Sequence, residues 1–219
     1  MKSKLYYNTV TPLLRDVLMK LMGAKEFNAF RLVGGTALSL YTGHRESIDI
    51  DLFTDATYDF INFEAIDFFL RTTYPYVQTD NYGIIGMGKS YSVGLNQEEA
   101  VKLDLYYTDE FIADIQLIDG IRLASIEDII AMKIDVILRG GRKKDFWDLH
   151  ELKEDYTITE MLALHKKRYP YSHDVDLIEN NFKDFTIADE EFDPVCLRQK
   201  QWGIIKLDMI DFVKGKHYL

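Results

Sequence analysis

Hydrophobic and polar residues alternate along the chain with two different periods. Over 9–23 and 63–72 the apolar residues recur with a helical period, which predicts helices there, and a shorter helix fits 35–42. Other runs alternate residue by residue or are short and apolar between glycines, which predicts strands. The predicted strands are 30–33, 47–53, 82–87, 90–95 and 101–107, and a hairpin with Asp119 and Gly120 at its turn is predicted over 116–123.

After Ser125 the pattern becomes mainly helical. We therefore predict a mixed α/β core over 1–124 and a helical C-terminal region over 125–219. No linker rich in Pro, Gly or Ser separates the two parts, so they are expected to pack closely. The predicted fold class is α+β, with a mixed sheet flanked by helices.

Composition narrows the class of protein. The 219 residues are 47% hydrophobic and 13% aromatic, as expected for a globular chain with a full-sized core. A net charge of −10 argues against a protein that coats nucleic acid through bulk charge. The apolar runs are too short for a membrane span, no secretory signal is visible, and a single cysteine, Cys196, fits a reducing compartment. We expect a cytoplasmic protein without membrane segments.

The segment 34–51 carries the clearest candidate chemistry. Gly34 and Gly35 break a short strand and open a helix, where free backbone N–H groups and the helix dipole favour an anion. Asp49 and Asp51 follow on the next strand, and two residues that are two positions apart share one face of a strand. A phosphate-binding turn beside paired carboxylates suggests a metal-bound nucleotide.

A third carboxylate, Asp104, stands on the predicted strand 101–107. It joins Asp49 and Asp51 if the two strands are neighbours, and three carboxylates suit a two-metal Mg²⁺ site. In isolation, Asp104 would more often be an ordinary solvent-facing strand residue.

Two charges fall on apolar helix faces. Ser125 begins a capping-box pattern at the start of a predicted helix that reaches to about residue 138. Lys133 lies within the apolar arc of this helix, where the ammonium must either snorkel to water or meet an anion. Asp148 lies at the edge of the apolar face of the next helix, where it could hold Lys133, an arginine or a nucleotide.

Other basic residues have more than one possible partner. Arg45 could contact phosphate or pair with Asp49 or Glu46. Two basic clusters could contact phosphate or be solvated helix ends: Arg139, Arg142, Lys143 and Lys144, and His165, Lys166, Lys167 and Arg168.

Four segments that carry the candidate residues follow one another along the chain: GGTALSLYTGHRESIDIDLF, VKLDLYY, SIEDIIAMKID and RKKDFWDLHEL. Together they resemble the nucleotidyltransferase AbiEii/AbiGii toxin family, a branch of the DNA polymerase β-like nucleotidyltransferase superfamily. The resemblance covers about residues 30–152. The first segment departs from the glycine-serine turn of the wider superfamily, and the stretch before Asp145 lacks a Ser, Thr or Cys ahead of its lysine.

The resemblance implies a polymerase β-like nucleotidyltransferase core with a helical C-terminal part, an NTP substrate and Mg²⁺. Gly34, Gly35 and Thr36 would cradle phosphate, Lys133 would contact the triphosphate, and Asp148 would occupy a late acidic position of the family. The family also implies a toxin with an antitoxin partner, and characterised relatives transfer nucleotides to the 3′ end of tRNA.

We therefore expect a Mg²⁺-dependent nucleotidyltransferase acting on an acceptor hydroxyl. The expected active-site residues are Asp49, Asp51, Asp104, Lys133 and Asp148, with Arg45 among the nucleotide-binding residues. A DxD glycosyltransferase is a second hypothesis, although it leaves the Gly-Gly turn and Lys133 unexplained. A non-catalytic nucleotide-binding or protein-interaction module is a third.

Overall fold

The strands form one mixed sheet. The structure is a computed structural model that describes residues 5–79 and 86–215. In this part of the chain the sheet has the spatial order β3-β4-β5-β2-β1-β7-β6. Its strands are β1 Arg31–Leu32, β2 Asp49–Thr54, β3 Tyr76–Gln78, β4 Gly88–Gly94, β5 Ala100–Tyr107, β6 Gln116–Ile118 and β7 Ile121–Leu123.

Helices cover the sheet and make up most of the chain after residue 125. They are α1 Pro12–Gly23, α2 Gly34–Thr42, α3 Phe63–Thr73, α4 Ile126–Leu138, α5 Lys143–Leu152, α6 Ile158–Arg168, α7 Val175–Asn181, α8 Thr186–Asp189 and α9 Trp202–Lys214. None of the described helices has the length and apolar character needed to cross a bilayer. The predicted α+β class, a mixed sheet flanked by helices, is confirmed.

Local chemistry explains where several elements begin and turn. The helix predicted over 9–23 begins only at Pro12, because the Thr11 side chain caps the amide of Leu14 and proline suits the first helical position. Ser125 caps α4 as predicted, accepting from the amide of Asp128. At the β6–β7 turn, Asp119 and Gly120 have φ of 52° and 81°, the positive values that a tight two-residue hairpin needs.

Strand β2 shows the predicted alternation and one exception to it. Ile50 and Leu52 are fully buried on one face, while Asp49 and Asp51 are partly exposed on the other. Ile48 would continue the apolar side of this alternation, but it is 69% exposed because the strand begins only at Asp49. Most of the strand predicted over 82–87 lies outside the described residues, and Gly86 and Met87 are not in a strand.

The two faces of the sheet have different roles. The apolar face carries Leu103 and Leu105 beside the buried residues of β2 and packs against α1. The opposite face carries the aspartates and faces α4 and α5 across a cavity. Helices from both sides of the predicted boundary at residue 124 pack directly on each other, as α2 does on α4. The division into 1–124 and 125–219 stays a prediction.

Candidate active site

The sheet brings three carboxylates to one cavity. Strands β2 and β5 are parallel neighbours, with Asp51 directly opposite Asp104 and Asp49 opposite Lys102. This confirms the strand adjacency on which the inclusion of Asp104 depended. Asp49, Asp51 and Asp104 all line a cavity of about 700 Å³ between the sheet, the start of α2, and α4 and α5.

Among the described residues, the three sheet carboxylates share one close ion pair, the contact of Lys102 with Asp104. Burial, and then Asp104 and Asp49, raise the pKa of Asp51 to about 6. Asp104 Oδ1 is buried without a hydrogen-bond partner among the described residues, while its Oδ2 accepts from Lys102 Nζ at 2.6 Å. Lys144 Nζ is 4.0 Å from Asp49 Oδ2. An additional cation would therefore be stabilised here.

The first turn of α2 opens onto the same cavity. Gly34 and Gly35 line it, and the N-cap residue Val33 makes no side-chain hydrogen bond, so no side chain caps the first amides of α2. Gly34 has φ of 68°, and a Cβ placed there would lie 2.8 Å from Asp51 Oδ2. A Cβ on Gly35 would overlap the Arg45 guanidinium. Both glycines therefore allow charged groups to approach the helix start closely.

Thr36 lies behind this turn rather than in the cavity. Its hydroxyl is buried, forms a 2.8 Å hydrogen bond with Ser47 Oγ and donates to the carbonyl of Asp49. The side chain thus ties the helix start to the beginning of β2. A hydroxyl used in this way is not available to phosphate, although the backbone of Thr36 belongs to the first turn of α2.

Asp148 is fully buried on α5 and is surrounded by donors. It accepts from His44 Nε2 at 2.7 Å and from Arg45 Nε and Nη2 at 2.6 and 2.9 Å. Lys133 Nζ lies 2.7 Å from its other oxygen, Oδ2. Burial alone would raise the pKa of Asp148, but Arg45, Lys133 and His44 hold it well below its usual range. Asp148 does not line the cavity; it fixes Arg45, which does.

Lys133 is held by two carboxylates. Its Nζ is 2.6 Å from Asp145 Oδ1 and 2.7 Å from Asp148 Oδ2, and the side chain is 6% exposed. Burial would lower its pKa, but Asp145 and Asp148 more than offset this and raise it. The lysine on the apolar face of α4 therefore meets anions rather than snorkelling, and those anions belong to the protein. One side of Lys133 still lines the cavity.

Lys144, predicted from the sequence only as part of a basic cluster, lies beside the sheet carboxylates. It lines the cavity from α5, is 40% exposed, and its only ion-pair contact within 4 Å among the described residues is Asp49. Burial, and then the neighbouring Arg142 and Lys133, lower its pKa. A signal was present in the sequence, because Lys144 stands four residues before Asp148 and so shares its side of the helix.

The described side chains alone do not form a closed metal site. Within this part of the chain, no three His, Cys, Asp or Glu side chains converge closely enough to hold an ion. Mg²⁺ is usually bound by one or two carboxylates together with substrate phosphates and water. The facing pair Asp51 and Asp104, with the unpartnered Oδ1 of Asp104, fits that mode of binding. The donors thus suit a metal ion that arrives with phosphates.

Sequence comparison identifies related chains over most of the length. The family described as nucleotidyl transferase AbiEii toxin, type IV toxin–antitoxin system, matches residues 16–215. The uncharacterized protein aq_aa25 of Aquifex aeolicus is 32% identical over 182 residues, which cover 81% of this chain and 84% of that protein.

Two solved structures share the fold. JHP933 from Helicobacter pylori aligns with a TM-score of 0.60 at 20% identity, covering 93% of this chain and 88% of its own. MenT4, a nucleotidyltransferase toxin from Mycobacterium tuberculosis, aligns with a TM-score of 0.52 at 14% identity, covering 90% of this chain and 79% of its own. At such identities the likeness concerns the fold.

Proposed function

The chain belongs to the nucleotidyl transferase AbiEii toxin family, and from this premise we propose that its cavity transfers a nucleotide from an NTP to the 3′ hydroxyl of an RNA, with tRNA as the first acceptor to test. One observation carries the proposal: the start of α2, which no side chain caps, and three carboxylates with few cations around them line the same cavity. A nucleoside triphosphate would offer its phosphates to the helix start and its bound metal ions to the carboxylates.

The phosphates would bind at the start of α2. The amides of Gly34 and Gly35 offer donors and the positive end of the helix dipole. Lys144 on α5 and Arg142, the residue just before this helix, line the same cavity and add positive charge; Arg142 also pairs with Asp145 but keeps half of its side chain exposed. Lys133 and Arg45 are already paired with carboxylates, so we assign them mainly to positioning: Arg45 packs against Gly35 at the helix start.

The sheet carboxylates would hold the metal. Asp49 and Asp51 would bind Mg²⁺ together with the phosphates, and Asp104 would be the third carboxylate of a two-metal site. Mg²⁺ bound there would neutralise charge on the phosphate oxygens and make the acceptor hydroxyl easier to deprotonate. Asp104 would help to remove the hydroxyl proton.

The proposed reaction is a displacement at the α-phosphorus of the NTP. The acceptor oxygen forms a bond to the α-phosphorus as the bond from that phosphorus to the bridging oxygen of the β-phosphate breaks. Pyrophosphate leaves, and the proton of the acceptor hydroxyl passes through Asp104 to solvent. Neither a DxD glycosyltransferase nor a non-catalytic module fits a family of nucleotidyl transferases.

A transfer assay tests this function. The protein would be incubated with each labelled NTP, Mg²⁺ and total tRNA, with Asp51→Asn as a matched control that keeps the size of the side chain. We expect label on RNA with the wild type and none with the variant. If no label reached RNA, protein or a small acceptor, the proposal would be wrong.

The toxin role is a separate part of the proposal. We propose that transfer arrests growth and that an antitoxin relieves the arrest, as the family description implies. Expression of the wild type should then stop growth, whereas Asp51→Asn expressed to the same level should not. Equal toxicity of the two would separate growth arrest from this cavity.

A further inference from the structure

Lys102 is a charged residue of the cavity to which the proposed reaction assigns no role. It stands on β5, opposite Asp49 on β2 and opposite Ser92 on β4. Asp104 lies two residues further along the same strand and on the same face. The long lysine side chain bends along the strand, and its Nζ reaches Asp104 Oδ2 at 2.6 Å. A cation of the protein thus already contacts the third carboxylate.

Lys102 is held much less tightly than Lys133, which lines the same cavity. Lys133 is 6% exposed and is held by two buried carboxylates. Lys102 is 57% exposed and its only ion-pair contact among the described residues is Asp104. The lysine end of this pair lies in water, whereas Asp104 is only 15% exposed. Lys102 can therefore leave at small cost when another cation takes its place at Asp104, while Lys133 cannot leave its two buried partners.

We propose that Lys102 is an internal competitor for the metal ion at Asp104. This inference rests on the proposed function only in taking the sheet carboxylates as metal ligands. A divalent cation at Asp104 and an ammonium on the same carboxylate repel each other, so one weakens the binding of the other. With Lys102 in place, the protein binds a free divalent ion weakly, and a metal ion that arrives with nucleotide phosphates is favoured.

The competition gives the cavity a selectivity that the carboxylates alone would lack. Three aspartates without a counter-charge attract any divalent cation. The Lys102 ammonium cancels part of that attraction while leaving Asp104 Oδ1 without a protein partner among the described residues. Once displaced, the exposed Lys102 side chain returns to water.

A metal titration without nucleotide tests the inference. Binding of Mn²⁺ to the full chain would be followed by the electron paramagnetic resonance signal of the free ion, for the wild type and for Lys102→Met. Because Mn²⁺ no longer has to displace the ammonium from Asp104, its binding should tighten roughly fivefold. Lys102→Arg keeps the charge and should bind Mn²⁺ like the wild type.

Two controls identify the source of any gain. Lys206→Met removes a lysine of α9 that pairs with Asp189, so it makes the same change in net charge away from the cavity; it should leave Mn²⁺ binding unchanged. Asp104→Asn combined with Lys102→Met should lose the gain. Thermal unfolding provides a second readout, in which Mg²⁺ should raise the Tm of Lys102→Met more than that of the wild type.

Equal or weaker Mn²⁺ binding by Lys102→Met would overturn the inference, and so would a failure of both proteins to bind Mn²⁺. The proposed function stands or falls separately, because these titrations contain no NTP and no acceptor. Nucleotide transfer with no effect of Lys102 on metal binding would remove only the competition. The predicted gain in metal affinity without any transfer activity would remove only the proposed reaction.

Discussion

Two groups of carboxylates face each other in this molecule, and they differ in how their charge is balanced. On the helix side, Asp145 and Asp148 are fully buried and are matched by Lys133, Arg45 and Arg142. On the sheet side, Asp49, Asp51 and Asp104 have one exposed lysine in contact and another at 4.0 Å. Buried charge that is fully paired holds the fold together, whereas charge left partly unpaired beside a cavity is available to a ligand.

The pKa values follow the same division. The pKa of Asp148 is held well below its usual range by its cations, while burial and like charges raise the pKa of Asp51 to about 6. Neutralising a carboxylate should therefore destabilise the protein on the helix side and stabilise it on the sheet side. The predictions below test this opposition.

The largest effect is expected for Asp148→Asn. Arg45 and Lys133 would lose a buried counter-charge, and breaking a buried ion pair from one side costs about 3 to 5 kcal/mol. Since the pKa of Asp148 is depressed in the folded state, its contribution is present at neutral pH and is lost only below about pH 4, the ordinary pKa of an aspartate. Urea unfolding at pH 7 would measure the loss. A stability within about 1 kcal/mol of the wild type would contradict the assignment of Asp148 to a structural network.

Gly34→Ala should have the next largest effect. The backbone φ of 68° is unfavourable for alanine by about 1 to 2 kcal/mol, and the added Cβ would press on Asp51. We expect lower stability together with weaker nucleotide binding. Gly203→Ala is the control, because a Cβ there meets nothing within 4 Å. If Gly34→Ala and Gly203→Ala had the same Tm and the same nucleotide affinity, the tight contact at Gly34 would be without consequence.

Lys144→Met should affect binding and leave the fold intact. We expect roughly tenfold weaker binding of a non-hydrolysable NTP with Mg²⁺, as for the loss of one charged hydrogen bond. The stability should stay constant or rise slightly, because burial, and then Arg142 and Lys133, disfavour the charged form of Lys144 and lower its pKa. Isothermal titration calorimetry would measure the affinity, with Lys206→Met as the control for net charge. Unchanged affinity would place the triphosphate elsewhere.

Local features of this site were predictable from the sequence, whereas contacts between residues that are distant in sequence were not. The shared face of Asp49 and Asp51 follows from the period of a strand, and the cap at Ser125 follows from residue type. The partners of Lys133 lie on another helix, so the sequence could state that an anion was one option but could not name it. The contact between Lys102 and Asp104 was missed for a different reason: both residues lie on β5, but a side-chain conformation decides whether they meet.

Two details at the ends of elements depend on contacts that a local sequence pattern does not contain. Ile48 continues the apolar alternation in sequence, but β2 begins one residue later, so Ile48 lies at the surface. The family resemblance implies that Thr36 belongs to the phosphate-binding turn, and its hydroxyl is bonded to Ser47 and the Asp49 carbonyl, so that role stays a prediction for its backbone. In both cases the tertiary neighbours, which a local pattern does not contain, determine the outcome.

The most direct test of the opposition between the two carboxylate groups is the unfolding free energy of Asp51→Asn as a function of pH. The raised pKa of Asp51 means that its protonated form is favoured in the folded state, so the stability it contributes below its unfolded pKa is lost as pH rises through about 6. After allowance for partial exposure, we expect the variant to be more stable than the wild type by about 1 kcal/mol at pH 8. The difference should vanish near pH 4. A variant that is less stable than the wild type at pH 8 would contradict the account.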